Sequence, residues 1–233
     1  MTEIPYRNAL IVGAGPGISA SVGRALAAAG LKVGFAARDI AKLAALADEI
    51  SALTFAADAS DPASVARLFE QADEELGPPD VVVYNAGARV RGGIAELDPE
   101  QVRKAIEVSA FGGFLVTQQA ARRMLPNRHG AILLTGATAS AKGFAQSSSF
   151  AMGKFALRGL AQSAAREFSP LGIHVAHFII DGSVRSTASP DPTDCLDSTL
   201  DPDAVAKSYL AVLAQPRSAW SWEVELRPWV ETF

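Results

Sequence analysis

The chain of 233 residues is 49% hydrophobic and 20% charged, with a formal net charge of −4, which suits one α/β domain with a large core. An acidic balance without a basic cluster argues against binding to nucleic acid or to an anionic membrane surface. The single cysteine, Cys195, excludes an internal disulfide and a thiol-rich metal site, and no histidine stands at ligand spacing from a carboxylate. With no signal peptide and no apolar run long enough to span a bilayer, the sequence predicts a cytoplasmic protein without a metal.

Short apolar runs alternate with helical stretches, a pattern typical of parallel strands joined by crossover helices. Runs such as ALIV and VVV lack polar alternation, as expected of strands that are covered on both faces. The pattern predicts strands at residues 9–12, 32–36, 52–57, 81–84, 132–135 and 174–179. It predicts helices at residues 21–29, 40–50, 62–76, 99–125 and 150–168.

Two later segments interrupt this alternation. Residues 183–204 are polar and rich in proline, and loops of that length commonly serve as lids, so we expect a substrate-side lid there. Residues 220–227 alternate large apolar and mostly charged side chains at period two, which predicts a half-exposed last strand. The whole chain, residues 1–233, is therefore expected to form a single α/β domain around about seven parallel strands.

A glycine-rich turn follows the first predicted strand. Gly13, Gly15 and Gly17 would let the backbone turn tightly and approach a pyrophosphate, whose charge the N-terminus of the next helix would meet. The pattern is incomplete, because Ile18 replaces the third glycine of G-x-G-x-x-G and Ser19 replaces the last glycine of G-x-x-x-G-x-G. Methyltransferases and flavoproteins share such a turn, so it predicts nucleotide binding without naming the nucleotide.

The end of the second predicted strand bears on the choice between NAD(H) and NADP(H). An acidic residue about twenty positions past the glycines would bind the ribose 2′-hydroxyl of NAD, but Ala37 stands there and Arg38 follows. An arginine fork matches a 2′-phosphate. The sequence therefore favours NADP(H) over NAD(H), the alternative being that Arg38 is a solvated loop residue before Asp39.

Several motifs in order make the chain similar to the short-chain dehydrogenase/reductase family over essentially its whole length. They are the glycine turn at residues 13–18, Asp58, the Asn-Ala-Gly sequence at 85–87, residues 150–160, and the Asp-Gly-Ser-Val sequence at 181–184. The resemblance implies a Rossmann-type doubly wound parallel sheet and an oxidoreductase that transfers a hydride between NADP(H) and a small molecule. It also implies a cofactor site that comprises Gly13, Gly15, Gly17, Ile18, Arg38, Asp58, Asn85, Ala86, Gly87, Lys154, Gly182 and Val184.

The catalytic positions implied by the resemblance carry unusual residues. In that family a tyrosine four residues before the lysine exchanges a proton with the substrate, and the charge of the lysine lowers the pKa of the phenol. Here Phe150 takes the place of the tyrosine, Ala137 that of a substrate-orienting serine, and Ser109 that of an asparagine; Lys154 alone is retained. The only tyrosines, Tyr6, Tyr84 and Tyr209, stand far from Lys154 in sequence.

Two interpretations of function remain open. In the first, Lys154, water or Asp181 supplies the proton for reduction, for example of a conjugated or thioester-linked acceptor; a carbonyl reductase with another proton donor overlaps with it. Asp181 replaces the proline that usually precedes the glycine, unless Ile180 holds that place. In the second, Phe150 and Ala137 pack an apolar pocket floor, and the chain is a catalytically silent NADP(H)-binding protein that acts as a sensor or interaction partner.

The predicted helix at 102–125 has apolar residues on more than one face, including Phe111, Phe114 and Val116. A helix on the outside of one sheet needs a single apolar stripe, so the second face needs a cover. Gly112 and Gly113 would let another helix approach closely. In the resembling family this helix and the one that bears Lys154 form the subunit interface, so we expect a homodimer or homotetramer with Phe111 or Phe114 buried between subunits. The alternative is that the lid or the C-terminal tail covers this face within one chain.

Overall fold

The computed structural model describes residues 4–186 and 190–231. Seven parallel strands form one sheet in the order β3-β2-β1-β4-β5-β6-β7. The strands are β1 (Asn8–Val12), β2 (Lys32–Ala37), β3 (Leu53–Ala56), β4 (Val81–Tyr84), β5 (Ala131–Thr135), β6 (His174–Ile180) and β7 (Glu223–Leu226). The central strands β4, β5 and β6 are buried along their whole length, as their apolar runs predict.

Helices cover both faces of the sheet, which makes the fold doubly wound. They are α1 (Ile18–Ala28), α2 (Ala44–Ile50), α3 (Pro62–Glu75), α4 (Pro99–Ile106), α5 (Gly112–Met124), α6 (Ser148–Phe168) and α7 (Pro202–Leu213). The helices α3, α5 and α6 pack on one face, and α1 and α7 pack on the other. The Rossmann-type fold predicted from the sequence, a single domain on a seven-stranded parallel sheet, is confirmed.

The order of the strands fixes where a ligand can bind. Strand order reverses between β1 and β4, which lie side by side with Val12 opposite Tyr84. In an open parallel sheet the crevice beyond the carboxyl ends of such a strand pair is the usual binding position. The glycine turn follows β1 and the Asn-Ala-Gly sequence follows β4, so both reach this crevice.

The long helix predicted at 99–125 differs in detail. A π-helical turn, Glu107–Phe111, separates α4 from α5. Just after it, a Cβ on Gly112 would lie 2.5 Å from the Tyr84 hydroxyl, and one on Gly113 would lie 2.5 Å from a Leu157 methyl. The two glycines therefore allow close approach within this chain, to β4 and α6, and their expected role at a contact between copies stays a prediction.

The segment predicted as a lid is shorter than expected. Asp201 accepts a hydrogen bond from the main-chain nitrogen of Asp203 and caps α7, so the loop ends before the helix at Pro202 and not at residue 204. Residues 187–189 of the loop lie outside the described residues. None of the helices in the described ranges combines the length and apolarity needed to cross a lipid bilayer.

Candidate active site

The glycine turn forms one wall of the crevice. Gly13 has φ +82°, and a Cβ there would lie 2.3 Å from the main-chain nitrogen of Ala86, so only glycine lets the two turns pack this closely. Gly17 has φ +90° and precedes α1, which has no side-chain cap at its N-terminus. No heavy atom lies within 4 Å of where a Cβ on Gly15 would point. This open cradle at a helix N-terminus fits a pyrophosphate.

Asn85 joins the two turns. Its side-chain nitrogen donates a hydrogen bond to the Ser19 hydroxyl at 2.7 Å, and this hydroxyl donates to the main-chain oxygen of Gly13 at 3.3 Å. The main-chain nitrogen of Asn85 donates to the Val12 oxygen at 2.8 Å. These bonds hold the end of β4 against the glycine turn and so fix the shape of the crevice.

A cavity of about 370 Å³ lies on the β2 side of this crevice. Arg38 and Asp58 line it opposite Gly13 and Gly15, as predicted for the adenosine end of a cofactor. Hydrogen bonds from Ser60 lower the pKa of Asp58, and the nearby Arg38 acts in the same direction. An ionised Asp58 and an exposed Arg38 therefore both line the cavity beside the glycine turn.

A second cavity of about 900 Å³ lies on the α6 side and shares Asn85, Gly87 and Ala88 with the first. Because they share these three residues, the two cavities adjoin and form one crevice. Its further lining brings together many of the predicted site residues: Ile18, Ala137, Phe150, Lys154, Asp181, Gly182 and Val184. Gly17 and Ser109 are the two predicted site residues that line neither cavity.

Lys154 lies on α6 and points into the second cavity. Its ammonium donates a hydrogen bond to the main-chain oxygen of Thr135 at 2.7 Å, and only 4% of the residue is exposed. Burial lowers the pKa of Lys154 to about 8. The Phe150 ring centroid is 5.9 Å from the ammonium, because the two residues stand one helical turn apart on the same face.

The sequence profile of the short chain dehydrogenase family matches residues 7–190. This chain belongs to the short-chain dehydrogenase/reductase family. A short-chain dehydrogenase structure from Rhodopseudomonas palustris is 36% identical, with a TM-score of 0.82 over 96% of this chain and 99% of that one. The cis-4-hydroxycyclohexanecarboxylate dehydrogenase of Sinomonas cyclohexanicum is 35% identical over 179 residues, 72% of this chain and 70% of the relative. A metagenomic short-chain oxidoreductase in complex with NADP is 28% identical, with a TM-score of 0.84 over 95% and 97% of the two chains.

No tyrosine takes the place that Phe150 holds in this family member. Tyr84 and Tyr209 are fully buried and line neither cavity, and burial raises the pKa of both phenols. Tyr84 donates a hydrogen bond to the main-chain oxygen of Val108, and the Tyr209 hydroxyl lies 2.8 Å from the Thr135 hydroxyl. Tyr6 stacks on His129 away from the crevice. Lys154 is therefore left without a phenol beside it.

Ser109 occupies the π-helical turn and lies behind the cavity wall. It is fully buried, and its hydroxyl accepts a hydrogen bond from the main-chain nitrogen of Ala88 at 3.0 Å. A Cβ on Gly153 would lie 2.6 Å from the Cβ of Ser109, so α6 passes very close to this turn. In this structure Ser109 shapes the Asn-Ala-Gly loop, and its predicted catalytic role stays a prediction.

Asp181 directly follows β6 and sits at the base of the cavity. Its carboxylate lies 2.9 Å from the Arg227 guanidinium and 3.8 Å from the Lys142 ammonium. Gly182 next to it has φ +148° and packs against Pro228. Asp181 thus takes part in two ion pairs, one with Arg227 and one with Lys142.

Three features of the site have no counterpart in the sequence predictions. Arg89 lines the cavity two residues after the Asn-Ala-Gly sequence, and its closeness to that motif is the signal that could have identified it. His177 contacts Glu223 at 3.1 Å and the Ser140 hydroxyl at 3.3 Å behind the wall that bears Ala137. Glu231 reaches the cavity from beyond β7, and no sequence signal marks it. Among the described residues, no cluster of three or more metal-ligating side chains occurs.

Proposed function

We propose that this protein is an NADP(H)-dependent oxidoreductase that interconverts a carbonyl and an alcohol on a small molecule, with Lys154 as the proton donor and acceptor. The observation that carries the proposal is the position of the Lys154 ammonium in the large cavity directly beyond the cofactor crevice. Membership of a family of oxidoreductases and a cradle that fits a pyrophosphate support it.

The cofactor preference rests on the β2 end of the crevice. Gly13, Gly15 and the N-terminus of α1 would hold the pyrophosphate, and Asp58 would lie beside the adenosine. Arg38 offers a planar fork to a 2′-phosphate, whereas no carboxylate stands at Ala37 to bind a free 2′-hydroxyl. The NADP held by the metagenomic relative agrees with this preference.

Lys154 suits proton transfer because burial brings its pKa to about 8. A general acid works best when its pKa lies near the working pH, since it must be protonated and yet release the proton. When bound, the reduced nicotinamide supplies a hydride, with its electron pair, to the carbonyl carbon. Lys154 gives its proton to the carbonyl oxygen, the product is an alcohol, and water reprotonates the amine.

Lys154 is favoured over the two other proton sources that the sequence leaves open. The carboxylate of Asp181 is already held in ion pairs by Arg227 and Lys142. Water would enter the cavity freely, but it is a far weaker acid than an ammonium with a pKa of about 8. The substrate is expected to be a compact carbonyl or hydroxyl compound; the hydroxycyclohexanecarboxylate in the name of one relative belongs to this class.

A second candidate is a catalytically silent NADP(H)-binding protein, which Ala137 and Phe150 in the cavity wall favour.

The test measures the rate of NADPH oxidation in the presence of ketones and of enoyl thioesters, and NADPH affinity is measured separately by calorimetry. In Lys154→Met, turnover at saturating NADPH should fall about 10²- to 10⁴-fold. Lys207→Met, at an exposed lysine on α7 that lines neither cavity, is the matched control. Tight NADPH binding without turnover on any substrate would favour the silent protein.

A further inference from the structure

We propose that Arg89 is an anion anchor that binds a carboxylate of the substrate, a proposal that rests on the oxidoreductase function above. Arg89 follows the Asn-Ala-Gly sequence and lines the cavity of about 900 Å³. Its Nη2 donates a hydrogen bond to the Ser147 hydroxyl at 2.5 Å, and its Cζ lies 5.3 Å from the Phe150 ring centroid. The guanidinium is thus held against the wall of the cavity that carries Phe150.

The backbone beside Arg89 is fixed to the start of α6. The fully buried Ser149 hydroxyl accepts a hydrogen bond from the main-chain nitrogen of Val90 at 3.1 Å and donates one to its oxygen at 2.8 Å. The main-chain nitrogen of Gly92 donates to the Gln146 oxygen at 3.3 Å. Because both the chain and the head group are held, little conformational entropy is lost when Arg89 binds a ligand.

The hydrogen-bonding capacity of Arg89 is largely unused. A guanidinium has five N–H donors, and the Ser147 hydroxyl takes one of them. Within residues 4–186 and 190–231, Arg89 forms no ion pair with a carboxylate, whereas Lys142 and Arg227 in the same region both pair with Asp181. Two parallel N–H bonds to a carboxylate are the arrangement that an arginine fork forms best.

The position of Arg89 relative to Lys154 limits the kind of substrate. Both cations lie close to the Phe150 ring, whose centroid is 5.3 Å from the Arg89 Cζ and 5.9 Å from the Lys154 Nζ. A substrate with its carboxylate at Arg89 and its carbonyl at Lys154 would therefore place the carbon between these two groups beside this ring. Ala137, Phe144 and Phe150 offer that carbon chain an apolar surface. The substrate class is an oxo or hydroxy acid whose carboxylate is remote from the reacting carbon.

The test compares 4-oxopentanoate, 5-oxohexanoate and 6-oxoheptanoate with their methyl esters, which lack the negative charge. In the wild type we expect KM to be at least tenfold lower for one or more of the acids than for its ester. Arg89→Ala should raise the KM of that acid at least tenfold, leave the ester unchanged and leave NADPH affinity unchanged. Arg89→Lys should recover part of the loss, and Arg91→Ala, at an exposed arginine that does not line the cavity, should have no effect.

Calorimetric titration of the acids into the NADPH complex separates this proposal from the proposed function. If the acids bind through Arg89 but are not reduced, the anchor stands and the function fails. If the ketones are reduced but acid and ester have equal KM values in both wild type and Arg89→Ala, the function stands and the anchor is wrong. A loss of NADPH affinity in Arg89→Ala would also overturn the anchor, because it would assign the residue to the cofactor site.

Discussion

The ammonium of Lys154 donates a 2.7 Å hydrogen bond to the main-chain oxygen of Thr135, the last residue of β5. Thr135 is held from the other face of the sheet, where its hydroxyl lies 2.8 Å from that of Tyr209. The ammonium of Lys154 is therefore bonded to a strand end that is itself held by a hydrogen bond. It lines the cavity although no phenol stands beside it. A buried ammonium with a single charge-assisted bond is poised to lose its proton.

The first prediction concerns pH. Reduction needs protonated Lys154 and oxidation needs the neutral amine, so kcat/KM for reduction should fall as pH rises through about 8, and that for oxidation should rise over the same interval. Initial rates in both directions between pH 6 and about 10 test this. In Lys154→Met the change in kcat/KM near pH 8 should be absent. A wild-type profile that is flat across it would contradict Lys154 as the proton donor.

The second prediction concerns the cofactor. NADPH should bind more tightly than NADH, and Arg38→Ala should remove most of the difference by weakening NADPH binding about 10- to 100-fold, since charged hydrogen bonds of this kind contribute about 1.5–3 kcal/mol. NADH affinity should stay nearly constant, because NADH carries no 2′-phosphate. Arg67→Ala, at an exposed arginine on α3 outside the crevice, serves as the control in calorimetric titrations. Equal affinities for the two cofactors in the wild type would show the preference to be wrong.

Much of the fold could be predicted from the sequence because its signals are local. Unbroken apolar runs mark the buried strands, and Gly30 and Gly77, with φ near +90°, mark the ends of the helices before them. The π-helical turn at Glu107–Phe111 has no local signal in the sequence; it lies just before Gly112, which packs closely on Tyr84 and Ala59 from distant segments. The sequence places the start of α7 inside the predicted loop at 183–204. An Asp-Pro pair such as Asp201-Pro202 is as common in turns as at the first residues of a helix.

The cofactor half of the site followed from motifs, whereas the substrate half depended on contacts between distant segments. Asp181 meets Arg227, which is 46 residues away in the chain, and His177 meets Glu223 at a similar separation. Neither the hydrophobic periodicity of the sequence nor the spacing of its motifs indicates that residues this far apart will form a pair. The role of Arg89 likewise depends on Ser147 and Phe150, which α6 brings across from another part of the chain.

The third prediction concerns Phe150. If the family's usual chemistry was lost with its phenol, Phe150→Tyr together with Ala137→Ser should raise the reduction of simple ketones above the wild-type rate, because the Lys154 ammonium stands one helical turn away to lower the pKa of the phenol. The single variants are the controls, and circular dichroism checks the fold. A folded double variant without any gain across a ketone panel would indicate a cavity shaped for a different reaction.

The fourth prediction concerns acid stability. Burial lowers the pKa of His177 to about 4, although Glu223 acts in the opposite direction. Between pH 4 and about 6.5 the unfolded chain binds the proton and the folded chain does not, so the free energy of unfolding should fall by up to about 3 kcal/mol as the pH drops through that interval. His177→Gln should reduce the slope of this limb in urea titrations at several pH values, while the part that comes from His174, whose pKa burial also lowers, should remain. An unaltered limb in His177→Gln would contradict the assignment.

The fifth prediction concerns assembly. Phe111 and Phe114 stack with ring centroids 6.3 Å apart, and each is 43% exposed. On α6, Met152 and Phe155 are also exposed, on the helix that carries Lys154. Four large apolar side chains on two packed helices leave an apolar surface of the kind that marks a protein contact. We propose that this surface, Phe111, Phe114, Met152 and Phe155, joins two copies of the chain in a homodimer or homotetramer.

Light scattering at micromolar concentration tests the assembly, first on the wild type and then on Phe111→Glu and Phe114→Glu. Both variants should shift the protein towards the monomer at concentrations where the wild type is assembled, because each would bury an unpaired carboxylate at the contact. Leu171→Glu, at an exposed apolar residue beyond the end of α6, is the control and should assemble like the wild type. A monomeric wild type would refute the assembly. An oligomer that neither charge disturbs would place its interface on another surface, since two buried charges at a true contact cannot both be tolerated.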